Sequence, residues 1–128
     1  MKTVLLIEDE TNIRAMYSEI LKEDGFEVVE ASEGEQGISL VENSNWDILL
    51  LDIMLPKLDG VELLKKLQIN PRFKDKPVLV ISNLDDAEVK KMCLDLGVKE
   101  FIIKSNAVPR DIVLAVKRYL VEEQEPAA

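Results

Sequence analysis

Residues 48–60 read Ile48-Leu49-Leu50-Leu51-Asp52-Ile53-Met54-Leu55-Pro56-Lys57-Leu58-Asp59-Gly60, an apolar run closed abruptly by one carboxylate, Asp52. The four residues from Ile48 to Leu51 do not alternate as a half-exposed strand would. They suit a strand covered on both faces, the situation in a parallel sheet flanked by helices. Pro56 lacks an amide hydrogen and marks the loop. Asp59-Gly60 is turn chemistry, with Asp59 placed to cap a helix in which Val61, Leu64 and Leu67 form an apolar stripe. Strand, acid-bearing loop and helix make one β-α unit.

The same unit recurs on either side. Val4 to Ile7, Phe26 to Val29, Val78 to Ile81 and Phe101 to Ile103 read as further strands. Between them, Ile13, Met16, Tyr17, Ile20 and Leu21 follow helical spacing, as do Val89, Met92, Cys93 and Leu96, and Ile112, Val113, Val116, Tyr119 and Leu120. The segment from Glu33 to Asn43 is a weaker helix carrying Gly34 and Gly37. Ser32 with Glu35 and Asp85 with Glu88 have capping-box spacing, Pro109 suits a first helical turn, and Gly25 and Gly97 suit helix stops. Asn70-Pro71-Arg72 marks a turn before the fourth strand. Alternating strands and helices joined by right-handed crossovers predict an α/β fold: (βα)5, a doubly wound parallel five-stranded sheet with the flavodoxin-like order 2-1-3-4-5.

At 128 residues and 14.5 kDa, one core is expected. Sixteen basic against 25 acidic residues give a net charge of −9, which repels nucleic-acid phosphates and anionic lipid. The chain by itself is therefore expected to bind neither nucleic acid nor membrane. Cys93 is the single cysteine, so no internal disulfide can form, and the Val4–Ile7 run is too short for a signal peptide. A cytoplasmic location is the expectation. Trp46 and Cys93 read as packed residues.

Chemistry-bearing side chains interrupt the apolar runs at their carboxyl ends: Glu8 and Asp9 after the first strand, Asp52 after the third, Ser82 after the fourth, Lys104 after the fifth. In an open α/β sheet that edge is where ligands bind, and strands one and three flank the switch point of the order 2-1-3-4-5. Taken singly, each has a plainer explanation. Glu8 and Asp9 favour the start of a helix, Asp52 a turn, Ser82 a hydroxyl before a helix, and Lys104 a solvated surface. Together, three carboxylates within a few ångströms repel unless a cation joins them, and Mg²⁺ (or Mn²⁺) favours such oxygen ligands. Lys104 and Ser82 would then add a positive charge and a donor suited to a phosphoryl group.

Glu8-Asp9, the run Asp52-Ile53-Met54-Leu55-Pro56 followed by Asp59-Gly60, Ser82 and Lys104 resemble the receiver domain of bacterial two-component response regulators, including single-domain chemotaxis-type regulators. The resemblance spans the whole chain, from the first strand to the helix ending near Leu120. It implies a receiver domain over residues 1–122, and the acidic Pro-Ala-Ala end reads as a frayed tail over 123–128. The resemblance further implies Asp52 as phosphoacceptor, with Asp9, Asp52 and the Met54 backbone carbonyl as metal ligands and Glu8 acting through water. Ser82 and Lys104 would contact the phosphoryl oxygens, and Ser82 with Phe101 would form a switch. The alternative for Phe101 is plain core packing. The phosphoryl donor would be a histidine kinase or histidine phosphotransfer protein, since the chain contains no histidine, and the signal would pass to a downstream target protein through the surface around the fourth helix and fifth strand. The chain would be a signalling module rather than an enzyme, its chemistry limited to intrinsic phosphotransfer and autodephosphorylation, standing alone or forming part of a longer regulator.

Two positions depart from the family pattern. Ser105 follows Lys104 where a proline is usual, which puts the reach of Lys104 in question. Asn83 follows Ser82 where Ala or Gly is usual; with Met54, it is expected to modulate access to Asp52 and the rate of phosphotransfer or hydrolysis. Met54, Leu55 and Pro56 form either a docking surface or a loop packed inward. A haloacid dehalogenase would need Asp-x-Asp after the first strand, where this chain has Glu8-Asp9-Glu10-Thr11. A flavin mononucleotide binder would need a hydroxyl- and glycine-rich phosphate loop where two carboxylates stand. A pseudo-receiver that serves only as a protein contact would not bind Mg²⁺.

Overall fold

The computed structural model describes residues 1–124, with side chains through Leu120. Five parallel strands, β1 (Thr3–Ile7), β2 (Glu27–Ala31), β3 (Ile48–Asp52), β4 (Val78–Ser82) and β5 (Glu100–Ile103), form one sheet in the order β2-β1-β3-β4-β5. They alternate with α1 (Thr11–Glu23), α2 (Gly34–Asn43), α3 (Gly60–Ile69), α4 (Ala87–Asp95) and α5 (Pro109–Gln124). This is the doubly wound (βα)5 arrangement expected from the sequence. Helix α5 continues through Gln124, and the last four residues of the anticipated 123–128 tail lie outside the described residues.

The unbroken apolar runs are explained by what covers the sheet. All five residues of β3 and of β4 are buried. Because side chains alternate across a strand, Leu5, Ile7, Leu49, Leu51, Val78 and Val80 enter one core with Val41, Leu63, Leu64, Leu67 and Cys93 from α2, α3 and α4. Val4, Leu6, Ile48, Leu50, Leu79 and Ile81 enter the other, with Tyr17 and Leu21 of α1 and Ile112, Val113, Val116 and Leu120 of α5. The edge strands β2 and β5 are only partly buried and correspondingly richer in charge, with Glu27, Glu30 and Glu100. Such charges discourage pairing with a foreign strand.

Local signals behave as their chemistry dictates, with two corrections. Gly25 and Gly97 sit past the ends of α1 and α4 at φ +95° and +92°, where a Cβ would be strained. Asp59 caps α3, its carboxylate accepting from the Val61 and Glu62 amides at 3.1 and 3.2 Å. At α4, however, the cap is Asp86, which accepts from Glu88 and Val89, and not Asp85 one residue earlier. At α2 the Ser32–Glu35 box is absent. Glu33 occupies the cap position without a side-chain bond, while Gln36 reaches back to accept from the Ser32 amide at 2.9 Å. Met16 and Met92 lie at the margin of their helical stripes and remain 43% and 44% exposed rather than entering the core.

Trp46 is buried before β3, its indole N–H donating to the Val41 carbonyl at 3.1 Å. It stacks on Phe73 at 5.8 Å between centroids, and the Lys76 ammonium lies 4.6 Å from its ring centroid. Lys76 also donates to the Trp46 carbonyl at 2.7 Å. These contacts pin the amino-terminal edge of the sheet, opposite the edge where Asp52 lies.

Candidate functional site

Parallel strands bring all their carboxyl ends to one edge, and the pairing register aligns them. Ile7 pairs with Leu51, Asp52 with Ile81, and Ser82 with Ile103. The residues that follow β1 and β5, and those that end β3 and β4, are therefore neighbours. Glu8, Asp9 and Asp52 each present a carboxylate oxygen, and these oxygens lie within 4.8 Å of one another. Glu8 and Asp52 are buried and Asp9 is exposed, so the cluster is open on the Asp9 side.

Lys104 enters this cluster from the end of β5. Its ammonium is 2.5 Å from Glu8 Oε1 and donates to Asp52 Oδ2 at 2.9 Å, and its side chain is only 7% exposed. The turn Lys104–Asn106 carries this reach with every described peptide bond trans, so Ser105 in place of proline does not keep Lys104 from Asp52. The Met54 amide donates to Asp52 Oδ1 at 2.9 Å, which leaves the Asp52 carboxylate held at both oxygens. The Met54 side chain is 55% exposed, whereas Leu55 turns inward and is buried. The stretch beside the site is thus a loop anchored by Leu55 with one exposed apolar side chain.

Ser82, fully buried at the end of β4, accepts at its hydroxyl from the Leu84 amide at 2.9 Å. Asn83 is exposed at the mouth of the β4–α4 loop. Phe101 is half-buried and packs against the core on the α2–α3–α4 side. Gly60 closes the loop beneath the site, because a Cβ there would stand 2.6 Å from Ile53 Cγ1 and 3.1 Å from the Ile53 carbonyl oxygen. The structure thus joins Glu8, Asp9, Asp52 and Lys104 directly and sets Ser82 on the adjoining strand end.

The electrostatics follow from burial. Loss of hydration pushes the Glu8 carboxyl up to about 7; Lys104 opposes this, and Asp52 adds to it. For Lys104 the balance falls the other way. Burial disfavours its charge, but contacts with Glu8 and Asp52 outweigh burial and raise its pKa. Three carboxylates against one ammonium leave 3 − 1 = 2 negative charges when all are ionised. Glu8 Oε1 is buried and, beyond its close approach to Lys104, accepts no directed hydrogen bond. Hard oxygen donors, surplus negative charge and one under-satisfied buried oxygen fit a divalent cation.

Residues 4–117 match the response regulator receiver domain family. The chain belongs to that family. It is therefore a receiver domain of two-component signalling, the class that its strand-end residues resemble. It is 31% identical over 132 residues to the transcriptional regulatory protein SrrA of Staphylococcus aureus, covering 98% of this chain and 53% of that protein. The chain spans about half the length of that relative, and 15% of a gliding motility regulatory protein from Myxococcus xanthus to which it is 33% identical over 115 residues. Among solved structures, it superposes with a TM-score of 0.86 on a CheY-like receiver domain protein from Methanospirillum hungatei, at 29% identity and 97% coverage of both chains. It superposes at 0.83 on the Mn(2+)-bound form of response regulator Rcp1, at 26% identity and full coverage of both chains.

Sequence reading did not find Arg14, whose Nη1 donates to the Glu8 backbone carbonyl at 2.9 Å. Nor did it foresee that Glu8 would contact Lys104 directly. Arg14 falls outside the apolar stripe of α1, and no spacing rule connects a helix-facing arginine with the strand end before it.

Proposed function

We propose that Asp52 accepts a phosphoryl group from a phosphohistidine on a histidine kinase or phosphotransfer protein, and that the modified domain signals to a downstream target protein. The observation that carries this reading is the Lys104 ammonium lodged between Glu8 and Asp52, with Asp9 completing an acidic cluster. Asp52 Oδ2 attacks phosphorus, a P–O bond forms as the donor's P–N bond breaks, and the departing imidazole nitrogen keeps the electron pair. Lys104 follows the transferred group and balances charge on its oxygens, while the Ser82 hydroxyl donates a hydrogen bond to one of them. The Met54 amide holds the non-attacking oxygen of Asp52 in place.

Glu8, Asp9, Asp52 and the Met54 carbonyl would hold Mg²⁺ (or Mn²⁺), which when bound supplies positive charge to the phosphoryl oxygens during transfer. The Mn(2+)-bound Rcp1 is a relative consistent with that assignment. The resulting acyl phosphate is lost by intrinsic hydrolysis, so the domain turns over its own signal without acting on a separate substrate. Drawing Ser82 towards the phosphoryl group, with Phe101 moving inward, biases the α4–β5 surface towards a second conformation. Such a module works in the cytoplasm, and no described helix is long and apolar enough to cross a membrane.

The test is intact-mass spectrometry after incubation with Mg²⁺ and acetyl phosphate or phosphoramidate. One phosphoryl adduct is expected, absent from Asp52→Asn and suppressed by a chelator. An adduct that persists in Asp52→Asn would overturn the assignment.

A further inference from the structure

The loop between β1 and α1 bears two of the acidic groups, yet its local ties are sparse. The cap position of α1, Glu10, makes no side-chain cap hydrogen bond, and the first turn contains no acid. What holds the loop comes from further away. The Glu8 amide donates to the Ala31 carbonyl of β2 at 3.1 Å, and the Glu8 carbonyl accepts from Arg14 Nη1 at 2.9 Å. Those two bonds fix the peptide planes on either side of the Glu8 Cα, and with them the direction of its side chain and the root of Asp9.

Arg14 is itself held. Its Nε faces Glu30 Oε1 at 3.4 Å, and Glu30 Oε2 accepts from the hydroxyl of the buried Ser18 at 3.1 Å. The Arg14 side chain is 17% exposed. A partly exposed ion pair between α1 and β2 contributes little to stability by itself. The guanidinium's fork geometry, with one nitrogen on the acidic loop and another on Glu30, suits alignment better than bulk stabilisation.

We propose that Arg14 is a positioning residue for the cation site: through the Glu8 carbonyl it sets the direction in which Glu8 and Asp9 present their carboxylates, and Glu30 and Ser18 hold the guanidinium in place. The inference rests on the cation site assigned under the proposed function. Outer partners that orient ligands in this way typically change metal affinity by about 10–100-fold when removed.

The test uses the full chain and the variants Arg14→Met, Arg14→Lys and Glu30→Gln. Mg²⁺ affinity is measured by calorimetry, and amide exchange is followed in EDTA at Glu10, whose N–H donates to Glu8 Oε2 at 3.2 Å. Arg14→Met is expected to weaken Mg²⁺ binding about tenfold or more and to speed exchange at Glu10 without a matching change at the core amide of Leu50. Arg14→Lys retains part of both effects, because an ammonium can still reach the carbonyl, and Glu30→Gln gives a smaller loss. If Arg14→Met only lowers the urea midpoint, with Mg²⁺ affinity within about twofold of the parent and Glu10 exchange unchanged relative to Leu50, the positioning role is wrong. If Arg14→Met does not fold, the Lys and Glu30 variants decide by the same two readouts. Asp9→Asn separates the underlying assignment. Unchanged Mg²⁺ binding in that variant refutes the cation site itself, whereas loss of binding there with none in the Arg14 variants refutes only the role of Arg14.

Discussion

Glu8→Gln tests the electrostatic account of the site through stability alone. Glu8 is fully buried, and burial, more than any other cause, pushes its carboxyl from 4.5 up to about 7. Below 4.5 the group is protonated in both the folded and the unfolded chain and contributes no penalty. Between 4.5 and about 7 the unfolded chain gives up the proton while the fold retains it, so stability falls as pH rises, and it levels off above the folded value. With these two values, the penalty is about 1.4 kcal/mol at about pH 5.5 and about 3.3 kcal/mol at about pH 8. Gln cannot ionise. It keeps one acceptor for Lys104 and sets an amide NH₂ near the Glu10 amide, a mismatch that costs about 1 kcal/mol at either pH. The pH-dependent part is therefore isolated. In urea melts with EDTA present, the variant's stability relative to the parent should rise by about 2 kcal/mol between about pH 5.5 and about pH 8. A difference that is the same at both pH values would refute the claim that a desolvated Glu8 strains the metal-free fold.

Three other outcomes follow from contacts already described. Gly60→Ala drives a Cβ to 2.6 Å from Ile53 Cγ1 and 3.1 Å from the Ile53 carbonyl oxygen, so a loss of about 1–3 kcal/mol is expected in urea melts, together with slower phosphoryl uptake from acetyl phosphate as the Asp52 loop shifts. Asp59→Ala removes the acceptor for the Val61 and Glu62 amides and should cost about 1 kcal/mol while leaving Mg²⁺ affinity nearly unchanged, because Asp59 shapes the loop without entering the acidic cluster. Asn83→Ala shortens an exposed side chain beside Ser82 and should raise the rate of phosphotransfer or of adduct hydrolysis measured by mass spectrometry, with unchanged thermal stability; two unaltered rates would remove Asn83 from any role in access.

The parts of this molecule that were legible in its sequence are those governed by local periodicity or by chain direction. Ile48 to Leu51 and Val78 to Ile81 are continuously apolar because both faces of β3 and β4 are covered, and that alone separates a doubly wound sheet from an exposed one. Asp52 and Lys104 are 52 residues apart, yet both follow apolar runs, and parallel strands must deliver their ends to one edge. What was hidden depended on choices between adjacent positions or on long side chains. Asp85 and Asp86 offer the same carboxylate, and only the backbone's entry into α4 selects the second. Met16 and Met92 satisfy helical spacing but stand where the stripe meets solvent, a margin that periodicity cannot locate. The contacts of Arg14 with the Glu8 carbonyl and with Glu30 depend on how α1 settles against β2, which is a property of packing and not of spacing.

Lys104 connects the resting electrostatics to the proposed chemistry. In the fold it is the internal counter-ion of two buried carboxylates, which it must be for Glu8 and Asp52 to share one edge. Asp52 Oδ1 accepts from the rigid backbone amide of Met54 and Oδ2 from the flexible Lys104 side chain, both at 2.9 Å, so in the proposed reaction Oδ2, whose partner can move aside, is the attacking oxygen. Attack places new negative charge within reach of the same ammonium as the Asp52 oxygen gives up its own. A compact charge with three rotatable donors on a flexible stem can pass from carboxylate to phosphoryl oxygen without leaving either uncompensated, whereas the rigid fork of an arginine would have to break one paired geometry before forming the other. The contact that partly offsets the acidic cluster at rest thus sets the ammonium beside the bond that the proposed transfer would form, so under that proposal one residue serves both the fold and the chemistry.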